Sequence, residues 1–144
     1  MPRYQVSIDS TRSAADAFAY LAAFDDIREW DPSVDSARRL DEGELRIGST
    51  FEVIVRLKKR KLPLRYEVVR LEPGKLIAVE ARAQWFRSYD VITVSPAGEG
   101  SRVGYDALLE LKSVAKLAGP FMGKAFRKIG DDAAEGLRRV LNPA

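Results

Sequence analysis

The sequence of 144 residues contains neither cysteine nor histidine. Without them the chain cannot form disulfides, thiolate nucleophiles, zinc sites with thiolate or imidazole ligands, or a Ser-His catalytic pair. The 21 aspartate and glutamate residues show none of the spacing that builds a calcium-binding loop. We therefore predict no metal ion and no other cofactor.

The sequence also lacks a long apolar run. No uninterrupted stretch is long enough to span a bilayer, and the N-terminal residues enter a strand pattern at once, without the apolar core of a signal peptide. These absences predict a cytoplasmic protein. A chain of this length is expected to form one domain, residues 1–144, with its own hydrophobic core.

Positive charge is only slightly in excess, because the formal net charge is +3. The densest basic cluster, Arg56-Leu57-Lys58-Lys59-Arg60-Lys61, lies between two apolar strand patterns and is therefore predicted to form the tip of a hairpin. Such a tip is typical of a solvated turn that discourages edge-to-edge aggregation. The alternative is a weak contact of Lys58, Lys59, Arg60 and Lys61 with an anionic membrane or a phosphate-bearing ligand. No aromatic residues interleave with these charges, so no nucleic-acid partner is predicted.

The order of the predicted elements is one strand, a short helical stretch, six strands and a long helix. Val6 and Ile8 alternate with polar residues, as in a half-buried strand. Ser13 is placed to cap a first short helix, and a second helical turn, Phe24 to Trp30, stops before Pro32 because the residue before a proline avoids helical dihedral angles. Between residues 34 and 111, turn sequences separate six runs of alternating apolar residues.

The last segment, Ser113 to Leu141, carries apolar residues on one helical arc and charged residues on the other, which predicts an amphipathic helix lying on a sheet. Gly119-Pro120 predicts a break in this helix or a fresh start. Gly123, Gly130 and Gly136 weaken a helix, and we interpret them as small residues that leave room for a ligand. A curved antiparallel sheet closed over one helix is an α+β fold that encloses a cavity.

Several segments resemble the START-like (SRPBCC) superfamily, in its polyketide cyclase/dehydrase and lipid-transport branch. They are Val6-x-Ile8-Asp9 with Ala15, Phe18 and Leu21, then Trp30-Asp31-Pro32-Ser33-Val34, Gly48, Tyr66-Glu67-Val68 and Gly100-Ser101-Arg102-Val103. The resemblance covers essentially the whole chain. It implies a helix-grip fold, in which a seven-stranded antiparallel sheet curves around a long C-terminal helix and two short helices follow the first strand. It also implies an apolar cavity that takes lipids, polyketides, quinones or similar molecules.

Residues predicted to contact a ligand are mostly aromatic or aliphatic and lie on the strand faces and the helix arc that would line this cavity. They are Trp30, Phe51, Val53, Val55, Tyr66, Val79, Trp85, Phe86, Tyr89, Tyr105, Phe121, Met122 and Phe126. Each has core packing as an alternative role, and Trp30 is interpreted as a plug at the mouth of the sheet or as a gate.

Any catalysis would depend on a carboxylate or a tyrosine in an apolar pocket, and the candidates are Asp90, Tyr66 and Tyr105. Asp90 shares strand parity with Ile92 and Val94, so it faces inward if they do. The interpretation that the sequence favours is an ion pair of Asp90 with Arg65 or Arg87 on the rim.

Three hypotheses for the function follow. The first is the binding or transport of an apolar small molecule such as a lipid, a quinone or a polyketide. The second is a polyketide cyclase or aromatase in which a carboxylate or tyrosine moves protons. The third is a protein- or membrane-interaction module that uses the basic tip.

Overall fold

The computed structural model describes the backbone of residues 2–57, 59–112 and 119–143, and the side chains of 2–56, 59–112 and 123–143. In chain order, the elements are β1 Arg3–Ser10, α1 Ala14–Ala22, a 3-10 helix Phe24–Glu29, β2 Val34–Arg39, β3 Thr50–Leu57, β4 Arg60–Glu72, β5 Leu76–Arg82, β6 Phe86–Ala97, β7 Gly100–Leu111 and α2 Gly119–Leu141. The predicted order of elements is confirmed over these ranges.

The seven strands form one antiparallel sheet in the order β1-β7-β6-β5-β4-β3-β2. Neighbours in the sequence are neighbours in the sheet, except that β1 pairs with β7 and so joins the two ends of the chain. The sheet curls around α2, while α1 packs against β6 and β7 and the 3-10 helix packs against β2 and β3. This is the predicted α+β helix-grip fold.

Local sequence sets the start of α1 and the end of the 3-10 helix. The Ser13 side chain accepts a hydrogen bond from the backbone N–H of Asp16 at 3.2 Å, which caps the first turn of α1 as predicted. The 3-10 helix ends at Glu29, and Trp30 follows in a non-helical conformation just before Asp31-Pro32. The chain therefore turns into β2 with Trp30 buried beneath the helices.

The register of the strands aligns the inner face of the sheet in rows. One row crosses β4, β5, β6 and β7 through Tyr66, Ala81, Ser88 and Leu109. The next row, from β5 to β7, contains Val79, Asp90 and Ala107. Because side chains alternate along a strand, the partners in each row face the same side, toward α2. Residues of different strands thus meet above the concave surface.

Two glycines let α2 approach its neighbours closely. A Cβ atom on Gly130 would lie 2.4 Å from the ring of Tyr4, and one on Gly136 would lie 1.9 Å from the backbone oxygen of Trp30. The expectation that they leave room for a ligand is therefore wrong for these two positions. Among the described residues, no atom lies within 4 Å of such a Cβ on Gly123. The predicted helical residues 113–118, and with them the break before Gly119-Pro120, lie outside the described residues.

The basic cluster joins β3 to β4, as predicted. Arg56 pairs with Lys61 and Leu57 with Arg60 across the two strands. Asp35 on β2 neutralises part of the charge, since its carboxylate lies 3.2 Å from the Lys61 ammonium and 3.8 Å from the Arg56 guanidinium. None of the described helices is both long enough and apolar enough to cross a membrane.

Candidate ligand-binding site

A cavity of about 540 Å³ lies between the inner face of the sheet and α2. Its walls come from β3, β4, β6, β7, the 3-10 helix and the first half of α2. The apolar lining residues include Val53, Val55, Leu62, Leu64, Phe86, Ala107, Leu109, Phe126 and Ile129. A cavity of this size is in the range that encloses a drug-sized or lipid-like molecule.

Polar groups meet on one part of the apolar wall. The hydroxyl of Tyr66 donates a hydrogen bond to the Ser88 hydroxyl at 3.2 Å. Asp90, two residues further along β6, faces the cavity and is only 6% exposed. Ala107 lies opposite Asp90 on β7 and also lines the cavity. None of the described residues donates a hydrogen bond to that carboxyl.

Burial controls the protonation of these groups. It raises the pKa of Asp90 to about 7, with smaller contributions from the carboxylates of Asp31 and Asp106. Near neutral pH Asp90 is therefore present in both its protonated and its ionised form. Burial and the nearby Asp90 carboxylate also raise the pKa of Tyr66 and of Tyr105, so both hydroxyls stay protonated. The cluster can donate and accept hydrogen bonds at the same pH.

A second carboxyl, Asp31, lies at the turn between the 3-10 helix and β2. One oxygen accepts hydrogen bonds from the backbone N–H of Ser33 at 3.0 Å and from the Ser33 hydroxyl at 2.7 Å. Burial raises the pKa of Asp31, and the two hydrogen bonds from Ser33 oppose that shift. Asp31 therefore serves the turn and also places a carboxyl group on the cavity wall.

The residues predicted to contact a ligand fall into four groups. The side chains that line the cavity are Val53, Val55, Tyr66, Trp85, Phe86, Tyr105 and Phe126. The side chains of Phe121 and Met122 lie outside the described residues. Phe51 and Val79 are buried on the inner face of the sheet without lining the cavity, and Phe51 packs edge-on against Phe24 with ring centres 5.7 Å apart.

The fourth group consists of two aromatic residues that lie away from the cavity. Trp30 is 2% exposed and packs edge-on against Tyr105, with ring centres 5.7 Å apart. It has the position of a plug behind the cavity wall. Tyr89 alternates with Ser88 and Asp90 on β6 and so projects from the opposite face of the sheet, where the Arg87 guanidinium lies 4.9 Å from its ring centre.

The favoured interpretation of Asp90 as a rim residue paired with Arg65 or Arg87 is wrong. Arg87 instead pairs with Glu80 at 2.6 Å on the other face of the sheet. Asp90 follows the parity of Ile92 and Val94, both of which are buried on the inner face. Strand parity therefore predicts the face on which Asp90 lies, whereas the presence of nearby arginines in the sequence does not.

Sequence reasoning missed other residues of the cavity. The residues predicted to contact a ligand include neither Asp31 nor Ser88, although Ser88 shares the parity of Asp90 on β6. Lys128 also borders the cavity, as do Arg56 and Arg60 of the basic cluster, for which a phosphate-bearing ligand is the alternative role given above. Parity was an available signal for Ser88, whereas the position of Lys128 depends on how α2 is rotated on the sheet.

An antiparallel sheet that curls around a C-terminal helix and leaves an apolar cavity between them defines the helix-grip class of ligand-cavity folds. The family model described as "Polyketide cyclase / dehydrase and lipid transport" matches residues 1–142, and the chain belongs to this family. No curated protein matches the sequence.

Solved structures with the same fold share little sequence with this chain. A START superfamily protein from Mycobacterium smegmatis is 15% identical with a TM-score of 0.79, and the alignment covers 96% of each chain. The protein TTHA0849 from Thermus thermophilus is 13% identical with a TM-score of 0.78, over 95% of this chain and 94% of that one. The di-domain ARO/CYC StfQ from the steffimycin biosynthetic pathway is 18% identical with a TM-score of 0.71, over 96% of this chain and 49% of that one.

Proposed function

We propose that this protein binds an apolar small molecule, such as a lipid, a quinone or a polyketide, in the cavity between the sheet and α2. The observation that carries the proposal is the cavity of about 540 Å³ with a largely apolar wall. The membership of the chain in a family described by polyketide cyclisation and lipid transport supports the same class of ligand.

Burial of the ligand supplies the driving force. At about 25 cal/mol per Å² of apolar surface removed from water, a ligand that buries roughly 300 Å² gains about 7 kcal/mol. The loss of translational and conformational freedom on binding offsets part of this gain. Because the wall is formed largely by paired strands, the cost of ordering the protein is small, and a dissociation constant of about 10 to 100 micromolar is expected for such a ligand.

Native mass spectrometry of gently purified protein, followed by organic extraction, tests the proposal. The expected result is a defined apolar molecule bound in a one-to-one complex. Titration with the uncharged fluorophore N-phenylnaphthylamine provides an independent measurement, with saturable binding expected. A protein that carries no extractable ligand and does not bind the fluorophore would contradict the proposal.

A second candidate function is a cyclase or aromatase, and the position of Asp90 favours it. An ionised Asp90 can accept a proton from a carbon between two carbonyl groups, while the hydroxyl of Tyr66 or Tyr105 donates a hydrogen bond to the developing enolate oxygen. The enolate carbon then attacks a second carbonyl, and the resulting alkoxide takes back the proton. The curved wall holds the chain in the folded geometry that this step requires.

Asp90→Asn separates the carrier from the enzyme. For an enzyme we expect turnover of a poly-carbonyl substrate to fall by at least about 100-fold, while the fluorophore still binds. Asp106→Asn, on the outer face of the neighbouring strand, is the matched control and is expected to keep turnover. Undiminished turnover in Asp90→Asn would remove Asp90 from the mechanism.

A further inference from the structure

The charged residues around the cavity are separated by sign. The described cations that border it, Arg56, Arg60 and Lys128, are all exposed. The carboxyls that border it, Asp31 and Asp90, are both buried, at 7% and 6% exposure. The cavity therefore has a cationic exposed end and an acidic interior.

The fold accounts for the position of the exposed end. Several strand ends lie together at one end of the sheet, because Leu57 pairs with Arg60 in the hairpin and Phe86 pairs with Leu111. Trp85, which borders the cavity at this end of the sheet, is 37% exposed. Tyr105, which lines the cavity six residues away from Leu111 on β7, is buried.

Arg60 is the cation best placed to meet a ligand. It has the same parity on β4 as Leu62, Leu64 and Tyr66, so it continues the row of cavity-lining side chains outward. Within the described part of the chain no carboxylate forms an ion pair with it, whereas Lys128 pairs with Asp132 at 2.9 Å. Arg56 is held by the backbone oxygen of Pro32 at 2.9 Å and serves the turn.

On the basis of the proposed function, we propose that the ligand is an amphipathic anion whose carboxylate or phosphate group lies at the exposed end beside Arg60 and Lys128, with its apolar body inside. An anionic group placed deeper would meet the Asp90 carboxyl, whose charged neighbours among the described residues are the carboxyls of Asp31 and Asp106. An amine would be drawn to the interior but repelled at the exposed end. Only the outward-facing anion agrees with the charges at both ends.

Competition against N-phenylnaphthylamine tests this ligand class. Decanoate, decanol and decylamine share one chain and differ in the charge of the head group. We expect decanoate to displace the fluorophore at a concentration about three- to fivefold lower than decanol, the scale of a solvent-exposed ion pair. Decylamine should be the weakest of the three. At about 1 M salt, where the screening length falls to about 3 Å, the preference should disappear.

The double variant Arg60→Gln/Lys128→Gln assigns the preference to residues. We expect decanoate and decanol to compete equally well in this variant. The control Arg65→Gln/Arg127→Gln removes the same charge from exposed residues that do not line the cavity, and it should keep the wild-type preference. Decanol or decylamine matching decanoate in the wild type, or an unchanged preference in the double variant, would overturn the proposal. Failure of the fluorophore to bind wild-type protein would count against the proposed function itself.

Discussion

At the scale of single residues, the buried carboxyl of Asp90 links the cavity to the stability of the fold. Burial raises its pKa from 3.8 to about 7. Between these two values the folded protein keeps a proton that the unfolded chain releases, so stability falls as the pH rises through this window. Below the window the group costs nothing, and above it the cost is complete and at most about 4 kcal/mol. Because the buried carboxyl destabilises the fold at neutral pH, its presence is better explained by a role in function than by a role in stability.

Asp90→Asn should remove this pH dependence. We expect the free energy of unfolding of the variant, relative to that of wild type, to increase by about 1 to 3 kcal/mol as the pH rises from 5 to 8, because the amide does not ionise. Measurement of the free energy of unfolding in urea at both pH values checks the expectation. Equal pH dependence in the two proteins would show that Asp90 is not buried in the ionised state.

Asp106→Asn provides a control of opposite sign. The Arg3 guanidinium hydrogen-bonds the Asp106 carboxylate and lowers its pKa. Its contribution to stability is present above the unfolded pKa and is lost as the pH falls through the lower folded value. The variant should therefore be destabilised at neutral pH and approach wild type in acid.

At the scale of elements, the glycines of α2 show where the helix touches its neighbours. Gly136→Ala places a methyl group 1.9 Å from the Trp30 backbone oxygen, and a backbone atom cannot move aside as a side chain does. We expect a loss of about 1 to 3 kcal/mol in the free energy of unfolding, as for other overpacked sites. Gly123→Ala meets no atom of the described part of the chain within 4 Å and should stabilise the protein by up to about 1 kcal/mol through helix propensity.

Thermal and urea unfolding of the two variants check this pair. The comparison is internal, because the same substitution is made twice in one helix and only the surroundings differ. A destabilised Gly123→Ala together with an unaffected Gly136→Ala would mean that α2 sits differently on the sheet.

The β3–β4 hairpin tip is the element that tests the hypothesis of membrane contact. Lys59 and Arg60 are exposed there, and basic residues near an anionic surface contribute about 1 kcal/mol each. Reversal of both charges should reduce co-sedimentation with phosphatidylserine vesicles at least about tenfold. Vesicles of phosphatidylcholine are the control. Vesicle binding that does not change on charge reversal would rule out the tip as a membrane contact.

The same elements show what the sequence could and could not predict. Alternation along the strands predicted the inner face correctly, including the inward parity of Asp90, because the period of a strand is fixed by its geometry. Sequence could not rank the residues of that face, so it predicts Phe51 and Val79 as contacts, whereas Phe51 packs against Phe24 of the 3-10 helix and Val79 is buried without lining the cavity. Nor could it predict that Gly130 and Gly136 serve close packing, since this depends on the distance between α2 and its neighbours.

At the scale of the whole molecule, the protein combines a rigid shell with an incompletely filled centre. The two ends of the chain meet and close the shell. β1 pairs with β7, and the Ser10 hydroxyl donates a hydrogen bond to the backbone oxygen of Leu141 at 2.7 Å. Side chains around the cavity lack some of the packing partners that a filled core would provide. The unfilled space is therefore a loss of stability that a bound ligand recovers, since any ligand that binds only the folded state stabilises it.

Ala107→Leu should weaken ligand binding without lowering the stability of the fold. Ala107 lines the cavity on β7 opposite Asp90, and a larger side chain there occupies the space of the ligand. We expect N-phenylnaphthylamine binding to fall at least about tenfold, while the melting temperature of the ligand-free protein stays level or rises because apolar surface gains partners. Ala19→Leu, on the exposed face of α1, adds the same atoms outside the cavity and should leave binding unchanged. Undiminished fluorophore binding in Ala107→Leu, with the fold intact by circular dichroism, would mean that the ligand occupies a different part of the molecule.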